Sequence, residues 1–147
     1  MNIYLACTVR GDRGALGAAR ELAGALEARG HTVLTKHLLD DGVETAEGAL
    51  TERAVFERDM AWLAEADLLV AEASGSSYGV GFEVGYVLGR SDVTGQRVLL
   101  LYDNARRTAV SRLIAGNVHP NCTTYAYGAA EDLVSFVDAH LAPVPGR

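Results

Sequence analysis

The sequence predicts an α/β fold, because five short apolar runs alternate with segments of helical periodicity along the chain. Strands that alternate with helices form parallel sheets with right-handed connections. Five strands within 147 residues favour a doubly wound, flavodoxin-like (Rossmann-like) parallel sheet with helices on both faces. No internal repeat or linker interrupts the pattern, so we expect residues 1–147 to form a single domain.

The predicted strands are short and rich in aliphatic side chains. The third is almost entirely apolar, as expected for a strand that is covered on both faces. The second is the weakest of the five. In chain order the predicted strands cover residues 3–9, 31–36, 67–73, 97–102 and 122–127.

The predicted helices show apolar residues at spacings of three and four positions, which is the period of a helix with one buried face. The first such stripe ends before Gly30 and consists of Leu16, Ala19, Leu22, Ala23 and Leu26. We predict helices over residues 12–29, 50–66, 79–90, 108–115 and 129–141, with Pro143 and Pro145 ending the last. Residues 37–48 are acidic and irregular, which predicts a surface loop, and residues 74–78 are predicted to form a turn.

The composition limits the classes of partner. The 13 basic residues against 19 acidic residues give a net charge of −6, which disfavours binding to nucleic acids or anionic membranes. No apolar stretch reaches the length of a membrane span, and residues 1–10 lack the features of a signal peptide. We therefore expect a cytoplasmic protein.

The cysteines and histidines do not predict a metal site. Cys7 and Cys122 are far apart in the sequence and are expected to be partly buried free thiols. The four histidines lack the spacing of a zinc site and have no nearby pair of cysteines.

One acid, Glu83, interrupts an otherwise apolar helix over residues 79–88. A helix that is apolar on every face is buried, and an unpaired buried carboxylate is costly and concentrates at functional sites. Glu83 also lies near the start of the helix, where the helix dipole favours negative charge. The alternative is a structural carboxylate that accepts a hydrogen bond from a neighbouring loop or subunit.

A second acid, Asp59, lies within an apolar stripe, three or four positions from Val55, Phe56, Trp62 and Leu63. The alternative is an acid at the edge of that stripe, reaching solvent or an arginine. Two buried acids that meet in one crevice suit the cleavage of a glycosidic bond. Glu72 and Asp67, at the ends of the third strand, are weaker candidates because acids are common there.

Two turns at the carboxyl ends of predicted strands could hold a phosphate. Thr8-Val9-Arg10-Gly11 offers a hydroxyl, a guanidinium and a glycine, and residues 74–79 lead into the helix of Glu83. Neither turn is a P-loop, and no GxGxxG motif is present. The alternative is that both are ordinary turns without a ligand.

Three segments together resemble the nucleoside 2-deoxyribosyltransferase superfamily, and in particular its branch of Rcl-type 2′-deoxynucleoside 5′-monophosphate N-hydrolases with the related CMP N-glycosidases. The segments are residues 3–11, residues 58–67 with the run Arg58-Asp59-Met60-Ala61-Trp62-Leu63, and residues 77–85. The similarity extends from the first strand to Ser111. It implies a flavodoxin-like fold, a homodimer with shared active sites, and no cofactor.

The resemblance also implies roles for individual residues. Glu83 would be the nucleophile on C1′ of the sugar, Asp59 would assist the departing base or orient Glu83, and Tyr4 would contact the nucleophile and the sugar. The partner subunit's Ser111 would reach the phosphate. The sugar-phosphate pocket would be lined by Thr8, Val9, Arg10, Gly11, Ser77 and Gly79.

Two positions bear on the substrate. Relatives that transfer deoxyribose between free nucleosides carry an acid where Ser77 stands, and a carboxylate there would repel a phosphate. Relatives that cleave ribonucleotides favour Phe where Tyr4 stands, so Tyr4 favours 2′-deoxynucleotides. Cys7 and Thr8 depart from the Gly-Ser that is usual in the family.

The leading hypothesis is hydrolysis of (2′-deoxy)nucleoside 5′-monophosphates to free base and sugar 5-phosphate. Two alternatives remain at this stage: a deoxyribosyltransferase that exchanges bases, and a nucleotide-binding module without catalysis. Neither the base nor the biological pathway, nucleotide-pool cleaning or antibiotic biosynthesis, follows from these residues.

Overall fold

The computed structural model describes residues 1–141 and contains a five-stranded, all-parallel sheet. The strand order is β2-β1-β3-β4-β5, which is the flavodoxin-like order and confirms the predicted fold class. The strands are β1 (Asn2–Ala6), β2 (Thr32–Val33), β3 (Leu68–Glu72), β4 (Arg97–Asp103) and β5 (Cys122–Tyr127).

Seven α-helices and two 3₁₀ segments connect the strands in the described part of the chain. The helices are α1 (Leu16–Ala28), α2 (Val43–Gly48), α3 (Glu52–Glu65), α4 (Tyr78–Leu88), α5 (Ser91–Thr94), α6 (Arg112–Ala115) and α7 (Ala130–Leu141). The 3₁₀ segments are Lys36–Leu39 and Asn104–Ala109. No helix within residues 1–141 is long and apolar enough to cross a membrane.

Side chains that alternate along the strands build two apolar layers, one on each face of the sheet. Ile3 and Leu5 of β1 pack with α1 and α7 on one face. Tyr4 and Ala6 point to the other face, where they pack with α3 and α4. The side chain of Tyr4 therefore lies beneath α4, and its phenol group faces the helix that carries Glu83.

Several predicted boundaries are wrong. β1 ends at Ala6 rather than at residue 9, because the chain turns there and Gly11 adopts a φ of +111°. Helix α1 begins at Leu16 rather than at residue 12, since the carboxylate of Asp12 accepts a hydrogen bond from the backbone N–H of Gly14 and fixes a turn. The second strand shrinks to two residues.

The prediction of an irregular loop over residues 37–48 is also wrong. This segment contains the end of a 3₁₀ turn and the short helix α2, because Leu38, Leu39 and Val43 are buried against the core. The predicted helix over 108–115 is divided into a 3₁₀ segment and α6. The helix stop predicted at Pro143 and Pro145 lies outside the described residues.

From β1 the chain first adds β2 on one side of the sheet and then crosses to add β3 on the other side, so the switch point of the strand order lies between β1 and β3. In open parallel sheets, ligands bind beyond the carboxyl ends of the strands at such a switch point. Here, the turns after β1 and β3 and the start of α4 meet at this position.

Candidate active site

A cavity of about 470 Å³ lies beyond the carboxyl ends of β1 and β3. Its wall comes from the turn after β1, the start of α4, the end of α2 and one face of α3. It is lined by Val9, Arg10, Asp59, Ser77, Gly79 and Glu83, all of which were predicted from the sequence. It is also large enough for a small-molecule ligand.

Glu83 lines this cavity and accepts a hydrogen bond on Oε1 from the hydroxyl of Tyr4, at 2.6 Å. Burial, with a smaller contribution from the charge of Asp59, raises the pKa of Glu83 to about 7, although the bond from Tyr4 opposes this. Burial and the Glu83 charge raise the pKa of Tyr4 above its ordinary value, so Tyr4 remains a donor. Glu83 is therefore a carboxyl group that can change its charge near neutral pH and has one oxygen held by Tyr4.

Helix α4 is not buried on every face, contrary to the sequence prediction. Val80, Val84 and Val87 pack against the sheet, but Phe82 is 54% exposed on the opposite side. Glu83 lies next to the packed stripe and accepts its hydrogen bond from β1 rather than from a neighbouring loop. The predicted carboxylate in apolar surroundings is thus present, while the helix also offers an apolar face to solvent.

Asp59 lines the cavity and is also bound by an arginine, so both alternatives considered from the sequence occur together. The Nε of Arg58 donates to Oδ1 of Asp59 at 2.9 Å. Burial raises the pKa of Asp59, and the hydrogen bond and charge of Arg58 only partly offset this effect. The guanidinium of Arg58 also lies over the ring of Trp62, at 4.9 Å from its centroid.

Arg58 also joins Asp59 to Glu47, a residue at the end of α2. The Nη1 of Arg58 donates to Oε1 of Glu47 at 2.7 Å, and His37 contacts the same oxygen at 3.3 Å. Burial acts to raise the pKa of Glu47, but the hydrogen bond and charge of Arg58 outweigh it and the net pKa is lowered. Glu47 therefore lines the cavity as an ionised carboxylate at neutral pH.

The part of the cavity at the start of α4 suits an anion. Ser77 is the N-cap of α4 and accepts from the backbone N–H of Val80, so the first turn of an eleven-residue helix opens onto the cavity. The N-terminus of a helix attracts anions through its free N–H groups and its dipole. Arg10 lines the same space and forms no ion pair within residues 1–141.

Thr8 and Gly11 lie beside the cavity rather than in its wall. Thr8 is buried, and its hydroxyl has no hydrogen-bond partner among the described residues. It packs against Gly75, where an added Cβ would overlap the Thr8 hydroxyl and the carbonyl oxygen of Asp12. The turns after β1 and β3 therefore touch directly, and their contact requires glycine at position 75.

Ser111 lies outside the Glu83 cavity. It lines a separate hollow of about 530 Å³, together with Ser76, Tyr78 and Leu113, on another side of the α4 N-terminus. Ser77 lines both this hollow and the Glu83 cavity, but within a single subunit Ser111 does not line the cavity that holds Glu83 and Asp59.

Glu72 and Asp67 take part in hydrogen bonds away from this cavity. Glu72 is 2% exposed and accepts hydrogen bonds from the hydroxyls of Ser74 and Tyr127, the latter at 2.8 Å. Asp67 accepts from the backbone N–H of Asn2 at 2.7 Å. Cys7, in contrast, lines the cavity, and burial raises its pKa to about 11, so the thiol stays protonated.

The α2 side of the cavity was not predicted from the sequence. Leu38, Glu47 and Leu50 all line it, and residues 37–48 were interpreted as a loop. The available signal was the set of three apolar side chains, Leu38, Leu39 and Val43, in an otherwise acidic segment. Residues of this kind anchor a segment to the core.

Comparisons with known proteins identify the family of the chain. The model of the nucleoside 2-deoxyribosyltransferase family matches residues 3–133. A protein of Thermofilum pendens, provisionally named 2′-deoxynucleoside 5′-phosphate N-hydrolase 1, is 44% identical over 141 residues, covering 96% of this chain and 95% of its own. The 5-hydroxymethyl-dUMP N-hydrolase of Danio rerio is 32% identical over 117 residues, covering 79% of this chain and 78% of its own.

A solved structure shares the fold. The CMP N-glycosidase of Clostridium botulinum superposes with a TM-score of 0.67 over 96% of this chain and 100% of that chain, at 19% sequence identity. At this identity the likeness supports the architecture alone.

Proposed function

Because the chain belongs to the nucleoside 2-deoxyribosyltransferase family, we propose that it hydrolyses the N-glycosidic bond of 2′-deoxynucleoside 5′-monophosphates. The family prediction from the sequence is confirmed, and the two relatives compared by sequence are named as N-hydrolases, one of them provisionally. One observation carries the proposal: Glu83, whose pKa is about 7, lines the same cavity as the N-terminus of α4, and the fully buried Tyr4 donates a hydrogen bond to it from beneath.

The proposed reaction has two steps. In the first, the ionised Glu83 attacks C1′ of the sugar, a bond forms between its carboxylate oxygen and C1′, and the bond to the base breaks with its electron pair on the base. In the second, water attacks C1′, the bond between C1′ and Glu83 breaks with its electron pair on the carboxylate, and the proton of the water passes to solvent, which leaves deoxyribose 5-phosphate and ionised Glu83. Tyr4 holds Oε1 of Glu83, which leaves the other carboxylate oxygen for attack.

We propose that Asp59 supplies a proton to the departing base or orients Glu83. Its raised pKa favours proton donation, because burial lets the Asp59 carboxyl group keep its proton to higher pH than an exposed aspartate does. Arg58 fixes one carboxylate oxygen of Asp59, so the other can face the cavity.

The phosphate is proposed to bind at the start of α4, near Arg10, Ser77 and Gly79. A neutral serine at position 77 leaves the helix N-terminus open to a dianion, whereas an acid there would repel it. This feature supports hydrolysis of nucleotides rather than transfer among free nucleosides. Thr8 would support the same turn from behind through its contact with Gly75, and Gly11 would allow the chain to turn next to Thr8.

We also propose that the protein acts as a homodimer in which the partner subunit's Ser111 reaches the phosphate. An exposed apolar patch on α3, α4 and α6 consists of Phe56 (55% exposed), Tyr78 (99%), Phe82 (54%) and Leu113 (84%). Exposed apolar patches often mark protein interfaces. Because Tyr78 and Leu113 border the hollow of Ser111, a partner that covers the patch would bring its own serine close to this region.

Chromatography of free base tests the proposal, with ribonucleoside and 2′-deoxynucleoside 5′-monophosphates and the unphosphorylated nucleosides as substrates. We expect release from the 2′-deoxynucleoside 5′-monophosphates and little from the nucleosides. Adding a different free base distinguishes a transferase, since only transfer would yield the corresponding new nucleotide or nucleoside. Binding of the monophosphates without release from any of them would refute the proposed hydrolysis.

A further inference from the structure

Glu47 lies in the wall of the cavity, and we infer that it selects the base that the enzyme releases. The inference rests on the proposed function. Glu47 would accept a hydrogen bond from an exocyclic amino group, so that cytosine and adenine are favoured over uracil and hypoxanthine, which carry a carbonyl oxygen at the same ring position. Glu47 would thus be a specificity-determining residue rather than part of the bond-breaking machinery.

The two carboxylate oxygens of Glu47 have different environments. Oε1 accepts the hydrogen bond from Arg58 at 2.7 Å and contacts His37 at 3.3 Å. Oε2 has no hydrogen-bond partner within residues 1–141. The side chain is only 12% exposed and lines the cavity, so Oε2 is the acceptor of Glu47 that is left for a ligand.

The position of Glu47 relative to the reacting groups suits the base. With the phosphate at the start of α4 and C1′ at Glu83, the base extends towards Asp59, the residue proposed to assist its departure. Arg58 donates to both Asp59 and Glu47, so these two carboxylates lie within the span of one guanidinium group. Leu38, Leu50 and Val55 line the same cavity and offer apolar contacts for the faces of the ring.

The preference between bases depends on whether the exocyclic group of the base can donate a hydrogen bond to the Glu47 carboxylate. An ionised carboxylate has only acceptor atoms, and the lowered pKa of Glu47 keeps it ionised at neutral pH. The amino group of cytosine or adenine donates to such an oxygen. The carbonyl oxygen of uracil or hypoxanthine presents lone pairs instead, which leaves both groups unpaired and mutually repelled in a partly desolvated site.

Two matched substrate pairs test this inference: dCMP against dUMP, and dAMP against dIMP. Each pair compares an amino group with an oxo group at the same ring position. We expect the kcat/KM of the wild-type protein to favour the amino member by roughly 10- to 100-fold, the usual range for one hydrogen bond to a charged group. Glu47→Gln should remove or reverse this preference, since an amide can donate to a carbonyl oxygen.

The ratio within one preparation does not depend on the fraction of folded enzyme, so a loss of overall activity cannot imitate the expected change. Glu44→Gln is the matched control, because Glu44 is exposed on the same short helix and does not line the cavity. It should leave both ratios unchanged. Glu47→Asp keeps the charge and should retain a preference for the amino member.

The outcomes are distinguishable. Amino preference that Glu47→Gln abolishes and Glu44→Gln leaves intact would support the inference. Release of all four bases at similar rates by the wild-type protein would overturn it while leaving the proposed function in place, and this comparison needs no variant. A preference that persists in Glu47→Gln would also overturn it. No release from any monophosphate would overturn the proposed function and the inference together.

Discussion

Replacing Glu83 by glutamine should stabilise the folded protein above neutral pH. The pKa of Glu83 is about 7 in the folded state, against an ordinary value of 4.5, mainly because of burial. A glutamine of the same shape can still accept the hydrogen bond from Tyr4 but carries no charge to desolvate. The gain is therefore expected where wild-type Glu83 is ionised.

The sign and size of the change in the free energy of unfolding follow from proton linkage. Between pH 4.5 and 7 the folded state holds the Glu83 proton more tightly than the unfolded chain, so the free energy of unfolding of the wild-type protein falls as pH rises. The difference between the two pKa values corresponds to about 3 kcal/mol. At pH 8 the variant should gain up to about 3 kcal/mol over the wild type, and the gain should fall to about 1 kcal/mol at pH 5 and vanish below about pH 4.

Urea unfolding at pH 5 and pH 8, followed by circular dichroism, measures this difference. Glu21→Gln, at an exposed position of α1, serves as a control and should change the free energy of unfolding by less than about 0.5 kcal/mol at either pH. Equal stability of Glu83→Gln and wild type at pH 8, or a gain of the same size at both pH values, would refute the reasoning.

Changes in pH and at Tyr4, Gly75 and Phe82 should alter activity, stability and assembly. The kcat/KM for base release should rise with pH through an apparent pKa near 7, because only ionised Glu83 can attack; a pH-rate profile that is flat from pH 5 to 9 would contradict this. Tyr4→Phe removes the hydrogen bond that favours the ionised carboxylate, so the same profile should move to higher pH, and a shift to lower pH would oppose the assigned role. Gly75→Ala should cost about 2 kcal/mol or more in thermal unfolding, since its Cβ would overlap Thr8, and a change of a few tenths would show that the turns can separate. Phe82→Glu should convert the proposed dimer to a monomer in light scattering, and a wild-type protein that is monomeric at micromolar concentration would disprove the dimer.

The fold followed from the sequence because its main signals are local. The apolar run of β3 and the alternation of strands with helices are sufficient to predict a parallel sheet, and the structure has the expected order. The short segments were harder to predict. Helix α2 has six residues, fewer than two full turns, so its periodicity could not distinguish it from a loop.

The candidate site followed only in part. Glu83 and Asp59 were identifiable because charged residues stand out in apolar stripes, and both line the cavity. The hydrogen bond from Tyr4 to Glu83 joins residues 79 positions apart, and only the packing of α4 on the sheet brings them together. The apolar sequence of α4 also predicted burial on every face of the helix, because exposed Phe82 and core-facing Val84 look alike in the sequence.

Glu47 shows why the base side of the cavity was missed. Its partners are His37 and Arg58, ten and eleven positions away, and nothing in its local sequence distinguishes it from exposed Glu44. The two residues differ in burial, which depends on how Leu38 and Val43 anchor the segment to the core.

The most direct test of the central claim is the single-turnover rate of base release by Glu83→Gln, measured on whichever 2′-deoxynucleoside 5′-monophosphate the wild-type protein cleaves fastest. Rapid quenching and chromatography of the free base, with Glu21→Gln as the matched control, give the rate of the chemical step. We expect a loss of roughly a thousandfold or more in Glu83→Gln, because the attacking group is removed, while Glu21→Gln retains the wild-type rate. A rate for Glu83→Gln within about tenfold of the wild type would contradict the assignment of Glu83 as the nucleophile.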